Sequence, residues 1–213
     1  MERWQDRLAR SLFGSVSRSR TIRGVTVDVV NTRPDIDTEY VFARLDEALG
    51  IIEHYQPWYF RHLARDFARI AVRRYPCRGA YFPDERSCLI ELTFSVNPEF
   101  TAAQVASTIV HEAMHARLDR RGVPFTREIA ARHERFCRRA EVELGMSVPD
   151  GEAIVERALA SLAASDEDVA PVIDWDVARR RVAQADLDAL HVPPWLKQTL
   201  ARRAGRDRGG EET

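Results

Sequence analysis

The chain has almost no lysine, since only Lys197 among its 32 basic residues is one and the others are arginine. An arginine-rich chain can bind nucleic-acid phosphates, but 33 acidic residues are interleaved with the arginines and the formal net charge is −1. No overall field therefore attracts nucleic acid or anionic membranes. We interpret Arg132, Arg135 and Arg139, and the run Arg179 to Arg181, as solvated helix faces, and expect no nucleic-acid partner.

Cysteine is scarce as well. Cys77, Cys88 and Cys137 are odd in number, widely separated and form no C-x-x-C pair, which indicates reduced thiols in a cytoplasmic protein. Long hydrophobic runs are absent, since none approaches the roughly 18 apolar residues that cross a bilayer. The segment from Met1 to Arg20 lacks the apolar centre of a signal peptide. We therefore expect a cytoplasmic protein with no membrane partner.

Hydrophobic periodicity predicts an α+β fold: a small mixed or antiparallel sheet packed on two consecutive helices, with a C-terminal helical annex. The expected organisation is an N-terminal helix and polar linker (1–20), a domain carrying the candidate site (21–146), the annex (147–204) and a disordered tail (205–213). Strands are expected at 25–30, from 68, at 79–82 and at 88–94; helices at 38–55, from 57, at 102–121, from 127 to 145, at 151–164 and at 174–190.

The sequence His111-Glu112-Ala113-Met114-His115 reads H-E-x-x-H. On an α-helix, residues four apart lie on one face, so both imidazoles point the same way and supply half of a tetrahedral zinc site. Glu112 is then placed to act as general base toward a metal-activated water.

Helical start and stop signals surround this motif. Thr101 is a good N-cap, and Gln104, three residues later, completes a capping box. Gly122 marks the end of the helix, and Pro124 follows it.

A third ligand must come from the next helix, which we expect Thr126 to cap. Glu134 stands eight residues past Thr126, about 12 Å at 1.5 Å per residue, which brings it level with the histidines if the helices are antiparallel. Glu128, about 3 Å past the cap, remains near the turn and is the second candidate. His133 is the third candidate, and Glu141 is placed to hydrogen-bond a ligating histidine.

His111, Glu112 and His115, followed after eighteen residues by Glu134, resemble the H-E-x-x-H-x18-E pattern of the gluzincin metallopeptidases. The size of the chain is similar to that of compact minigluzincins. The resemblance implies a zincin-like domain, Zn²⁺ held by His111, His115 and Glu134, Glu112 as general base, and a peptide or protein substrate added as a strand to the sheet edge.

Two functions remain open from the sequence. The first is a zinc metallopeptidase whose Cys88–Phe94 strand binds extended substrate, provided that this strand lies at an edge. The second is a catalytically weak or inactive zinc-binding module that recognises a protein partner. Gluzincins often have a downstream Tyr or His that stabilises the oxyanion, whereas all five tyrosines here lie upstream and His191 is the only candidate beyond the third-ligand helix. The sequence does not indicate the oligomeric state.

Overall fold

A computed structural model of the chain describes residues 17–170, 175–194 and 197. The chain divides into two compact units, Met1–Ile173 and Asp174–Thr213. The predicted N-terminal helix and the disordered tail predicted from residue 205 lie outside the described residues. Within the described part of the chain, no helix combines the length and the apolar character needed to span a membrane.

A five-stranded mixed sheet forms the centre of the first unit and confirms the α+β class. Its strands are β1 (Ser17–Ile22), β2 (Val25–Val30), β3 (Arg69–Arg73), β4 (Gly79–Phe82) and β5 (Ser87–Glu91), in the order β1-β2-β3-β5-β4. Strands β2, β3 and β5 are parallel, while β1 and β4 pair antiparallel at the two edges.

The first strand corrects the prediction of a polar linker up to Arg20. Strand β1 pairs with β2 along its whole length, although five of its six residues are exposed and carry no hydrophobic signal. The two strands are joined by Arg23 and Gly24, whose φ angles of 48° and 80° are both positive. This two-residue turn matches the right-handed twist of paired strands, so the pairing comes from the hairpin and not from the composition of β1.

The helices of the first unit are α1 (Thr38–Tyr55), α2 (Pro57–Asp66), α3 (Leu92–Val96), α4 (Ala102–Arg120), α5 (Ala130–Ser147), α6 (Glu152–Ala163) and α7 (Asp166–Val169); α8 (Trp175–Ala189) lies in the second unit. The capping box of α4 is confirmed. The Thr101 hydroxyl accepts from Gln104 N at 3.2 Å, and the Gln104 side chain accepts from Thr101 N at 2.9 Å.

Two predicted boundaries are wrong. The strand expected at 88–94 ends at Glu91, because the Glu91 carboxylate accepts a hydrogen bond from Phe94 N at 2.6 Å and begins the short helix α3. The helix expected after Thr126 begins only at Ala130. Thr126 does not cap it, because its hydroxyl bonds the Glu128 carboxylate and its carbonyl accepts from Ile129 N in a separate turn.

The hydrophobic core lies between one face of the sheet and helices α1 and α4. Val25, Val27 and Val29 alternate inward along β2, and the polar residues between them point away. Most residues of α4 are buried. The helix with the histidines is therefore held on several sides, which gives its polar side chains fixed positions in a close-packed interior.

Candidate metal centre

Three side chains from two helices converge at one point. His111 and His115 of α4 place their Nε2 atoms 3.3 Å apart. Glu134 of α5 places Oε2 3.3 Å from His111 Nε2 and Oε1 3.3 Å from His115 Nε2. The structure thus brings together the three residues that the sequence predicts as metal ligands.

These separations fit a zinc ion. Ligand atoms about 2.0–2.1 Å from a tetrahedral Zn²⁺ lie about 3.3–3.4 Å from one another. The two Nε2 atoms are 3.3 Å apart, and each lies 3.3 Å from a different oxygen of Glu134. Two imidazoles and one carboxylate are also a donor set that suits zinc, with a fourth position left for water or substrate.

The chain reversal between α4 and α5 depends on Gly122. After Arg121, Gly122 N bonds the Asp119 carbonyl at 2.9 Å and Val123 N bonds the Leu118 carbonyl at 3.0 Å. This is the Schellman pattern, and Gly122 has the positive φ of 76° that it requires. The turn ends α4 where the sequence predicts and lets the chain return toward the histidines.

The two other third-ligand candidates occupy different environments. Glu128 is exposed in the turn before α5, where its carboxylate bonds the Thr126 hydroxyl. His133 is buried and stacks on His115, with ring centroids 5.8 Å apart. Its Nε2–H donates to the Val123 carbonyl at 3.0 Å, which ties the turn to α5. Neither residue takes the position that Glu134 occupies.

Glu141 orients His111 from the other side of the ring. His111 Nδ1 lies 2.5 Å from Glu141 Oε1. Because an ionised carboxylate can only accept, Nδ1 carries a proton, and Nε2 is the ring nitrogen that faces Glu134. The hydrogen bond anticipated from the sequence is therefore confirmed. Fixing the tautomer in this way is the usual task of a carboxylate behind a metal-binding histidine.

Two arginines neutralise the Glu141 carboxylate, which is 1% exposed. Arg138, on the same helix, donates to Oε1 at 2.7 Å, and Arg157 of α6 donates to Oε2 at 2.7 Å. Burial alone would raise the pKa of Glu141, but the hydrogen bond from His111 and the two guanidinium groups hold it below its usual value. Helix α6 thereby supports the candidate site through Arg157, a contact that no local sequence pattern indicates.

We expect Glu141→Gln to weaken Zn²⁺ binding by about 10- to 100-fold, the range for an outer partner of a metal-binding histidine. The amide keeps the size of the side chain but removes the charge that fixes the His111 tautomer. Competition with a chromophoric chelator measures the change. Glu156→Gln, on the exposed face of α6, is the matched control, and equal affinities for the two variants would contradict a role for Glu141.

The carboxylate of Glu112 lies against the sheet edge. Glu112 is 5% exposed, and a Cβ atom on Gly79 of β4 would stand only 2.8 Å from its Oε1. The edge strand beside α4 is therefore β4, and the proposed role of Cys88–Phe94 as an edge strand is wrong because β5 lies between β3 and β4. The reason is the hairpin: β4 and β5 pair antiparallel through the turn at 83–86, which places β4 outside β5.

We expect Gly79→Ala to destabilise the fold by about 1–3 kcal/mol, the usual cost of overpacking. The new methyl group would stand 2.5 Å from Thr108 Cγ2 as well as close to Glu112. Thr108→Ser removes that Cγ2 atom, so Gly79→Ala/Thr108→Ser should recover part of the loss in chemical denaturation. Strict additivity of the two substitutions would show that the contact is not the cause.

Negative charge surrounds the two imidazoles. Burial opposes protonation of His111, but hydrogen bonds to Glu134 and Glu141 outweigh it and raise the pKa of His111 to about 10. Burial raises the pKa of Glu112, although the neighbouring imidazoles act in the opposite direction. The cluster therefore attracts positive charge, which is the electrostatic environment a divalent cation needs.

One neighbour of the site was missed from the sequence. The ligand atoms of His111, His115 and Cys137 all lie within 4.8 Å of one another. Cys137 follows Glu134 by three residues and so shares its helix face. That spacing was the available signal, but scattered cysteines without a C-x-x-C pair suggested only reduced thiols.

Two of the upstream tyrosines donate to carboxylates, and the downstream candidate His191 lies in the second unit. The Tyr81 hydroxyl donates to Asp119 Oδ2 at 3.2 Å, and the Tyr59 hydroxyl donates to Glu143 Oε2 at 3.1 Å. His191 belongs to the second unit and lies in the turn after α8. Its backbone N–H donates to the Asp188 carbonyl at 3.0 Å. Its role toward an oxyanion stays a prediction.

Comparison with known proteins gives no match from which a function could be inferred. No protein-family model matches the chain, and no curated protein and no solved structure matches it significantly. The functional interpretation therefore depends on the chemistry of His111, Glu112, His115, Glu134 and their neighbours.

Proposed function

We propose that this protein is a zinc-dependent hydrolase of the metallopeptidase type, with His111, His115 and Glu134 as zinc ligands. The observation that carries the proposal is the set of three 3.3 Å separations among their donor atoms. This spacing is that of ligand atoms around a tetrahedral zinc ion, and two imidazoles with one carboxylate form a donor set that suits zinc.

A bound Zn²⁺ would supply Lewis acidity, lowering the pKa of a water molecule and polarising a substrate carbonyl. Glu112 provides the base. It follows His111 directly on α4, it is buried, and burial raises the pKa of its carboxyl group. A carboxylate in such an environment is suited to take a proton from water and to return it to a leaving amine.

The substrate class follows from the neighbouring strand. Strand β4 is an edge of the sheet, and Gly79 at its start lies against the Glu112 carboxylate. An extended peptide that pairs with β4 would bring its backbone carbonyls past the general base, with affinity from main-chain hydrogen bonds. We therefore propose an extended peptide as substrate and β4, in place of Cys88–Phe94, as the strand that binds it.

The first test of the proposal is removal and return of the metal. The full chain is purified without chelator, its bound metals are measured, and hydrolysis of an unstructured peptide library is followed by mass spectrometry. We expect about one Zn²⁺ per chain at the His111, His115 and Glu134 site, cleavage that stops on treatment with 1,10-phenanthroline, and recovery when zinc is returned.

The possible outcomes separate the two functions considered from the sequence. Cleavage that survives complete metal removal contradicts the proposal. Stoichiometric zinc without any cleavage leaves the zinc-binding module that recognises a protein partner. Failure to hold zinc at all rejects both, because each requires the same three ligands.

A further inference from the structure

The two imidazoles have a second potential partner besides Glu134. Cys137 lies one helical turn further along α5, and its sulfur belongs to a cluster of donor atoms with His111 and His115, all within 4.8 Å. The thiol is 0% exposed, while the side chain of Glu134 is 16% exposed. The histidine pair is thus flanked by a carboxylate nearer the solvent and a thiol in the interior.

These two donors differ in the metals that they prefer. A carboxylate is a hard ligand, and with two imidazoles it suits Zn²⁺. A thiolate is a softer ligand that binds zinc too and favours softer ions such as Cd²⁺ more strongly, so two imidazoles with one thiolate form a metal site of a different kind. Because Glu134 and Cys137 lie on the same face of α5, the same two histidines can complete either set.

We propose that His111, His115 and Cys137 form a second ligand set that binds a thiophilic divalent cation such as Cd²⁺ in place of zinc. The inference rests on the proposed function only in sharing His111 and His115. Binding forms a metal–sulfur bond and breaks the S–H bond of Cys137, with the proton released to the buffer. Because the histidines are shared, one ion excludes the other, so Cd²⁺ competes with Zn²⁺ at this centre.

Cd²⁺ itself is the probe. The full-length chain is stripped of metal and titrated with Cd²⁺ while the ultraviolet absorption of the thiolate-to-metal charge transfer is recorded. We expect the band to grow and to saturate at about one Cd²⁺ per chain, as for a single site with bound thiolate. Equilibrium dialysis measures bound cadmium independently of the band.

Three variants assign the band. Cys137→Ser should abolish it, whereas Cys77→Ser should keep it, since Cys77 is a half-buried thiol bonded to the Gly79 carbonyl. Glu134→Gln should weaken zinc binding by at least about 100-fold, the upper value for a residue that only supports a ligand, and leave the cadmium band unchanged. The opposite responses of the position 134 and position 137 variants distinguish the two ligand sets.

Bound cadmium without the band in the wild-type protein overturns the inference, and so does a band that persists in Cys137→Ser. Where Cys137→Ser does not fold, the absence of the band in the wild-type protein still overturns the inference. Cadmium–thiolate absorption in a protein that binds zinc but cleaves no peptide supports this inference and rejects the peptidase. Absence of any bound metal rejects both.

Discussion

Replacing Glu134 with Gln is expected to lower the affinity for Zn²⁺ by about 100-fold, or about 2.8 kcal/mol at 1.4 kcal/mol per tenfold. The amide keeps the volume of the side chain but cannot supply the anionic oxygens that now lie 3.3 Å from both histidine nitrogens. Two imidazoles supply only half of a tetrahedral shell, and Cys137 would have to lose its proton before it could replace the carboxylate as third ligand. A chromophoric chelator in competition with the protein reports the affinity, and analysis of bound metal gives the stoichiometry.

Glu128→Gln is the control for this experiment. Glu128 was the second ligand candidate, and it is exposed in the turn before α5. We expect its variant to bind zinc as the wild-type protein does. If Glu128→Gln lost zinc and Glu134→Gln retained it, the ligand assignment would be wrong and the turn would have to rearrange around the metal.

Glu112→Gln is expected to reduce kcat/KM for peptide cleavage by about 10²- to 10⁴-fold, the contribution of a positioned general base. Zinc content should stay at the wild-type level, because Glu112 adjoins the ligands without being one. The amide is nearly the same size as the carboxylate, so the close contact with Gly79 is preserved and the fold should keep its stability. Steady-state cleavage assays, metal analysis and chemical denaturation on the same preparation separate these effects.

The retained zinc is the decisive part of this prediction. Loss of both zinc and activity in Glu112→Gln would indicate that Glu112 is a ligand, not a base. Full activity in that variant would remove Glu112 from the reaction altogether. Glu128→Gln again provides the matched substitution that should change neither zinc content nor cleavage.

The sequence was most informative where a structure is set by neighbours within one or two helical turns. His111 and His115 lie on the same face of α4 because they are four residues apart. The start of α4 follows from the hydrogen bonds that Thr101 and Gln104 exchange. The rise of the helix also favoured Glu134 over Glu128. The structure places Glu134 at the level of the histidines although α5 begins later than expected, because the chain reversal at Gly122 still returns the chain there.

Other features depended on contacts that local pattern does not contain. Strand β1 is mostly polar and exists because the Arg23–Gly24 hairpin pairs it with β2. The edge beside Glu112 is β4 and not β5, since strand order is decided by pairing across the sheet. Neither feature changes the hydrophobic periodicity of its own segment, so neither could be recognised from it.

The residues around the candidate metal site also divide into those that local sequence predicts and those that only the fold brings together. The sequence alone determined the α+β class, the helix that carries both histidines and the carboxylate that approaches them, because these follow from backbone geometry and local hydrogen bonds. Only the tertiary structure decided that Arg157 of α6 neutralises Glu141 and that the Cys137 thiol lies beside the imidazoles. Such contacts join side chains by packing between separate helices, and their distances are set by the whole folded core and not by any one segment.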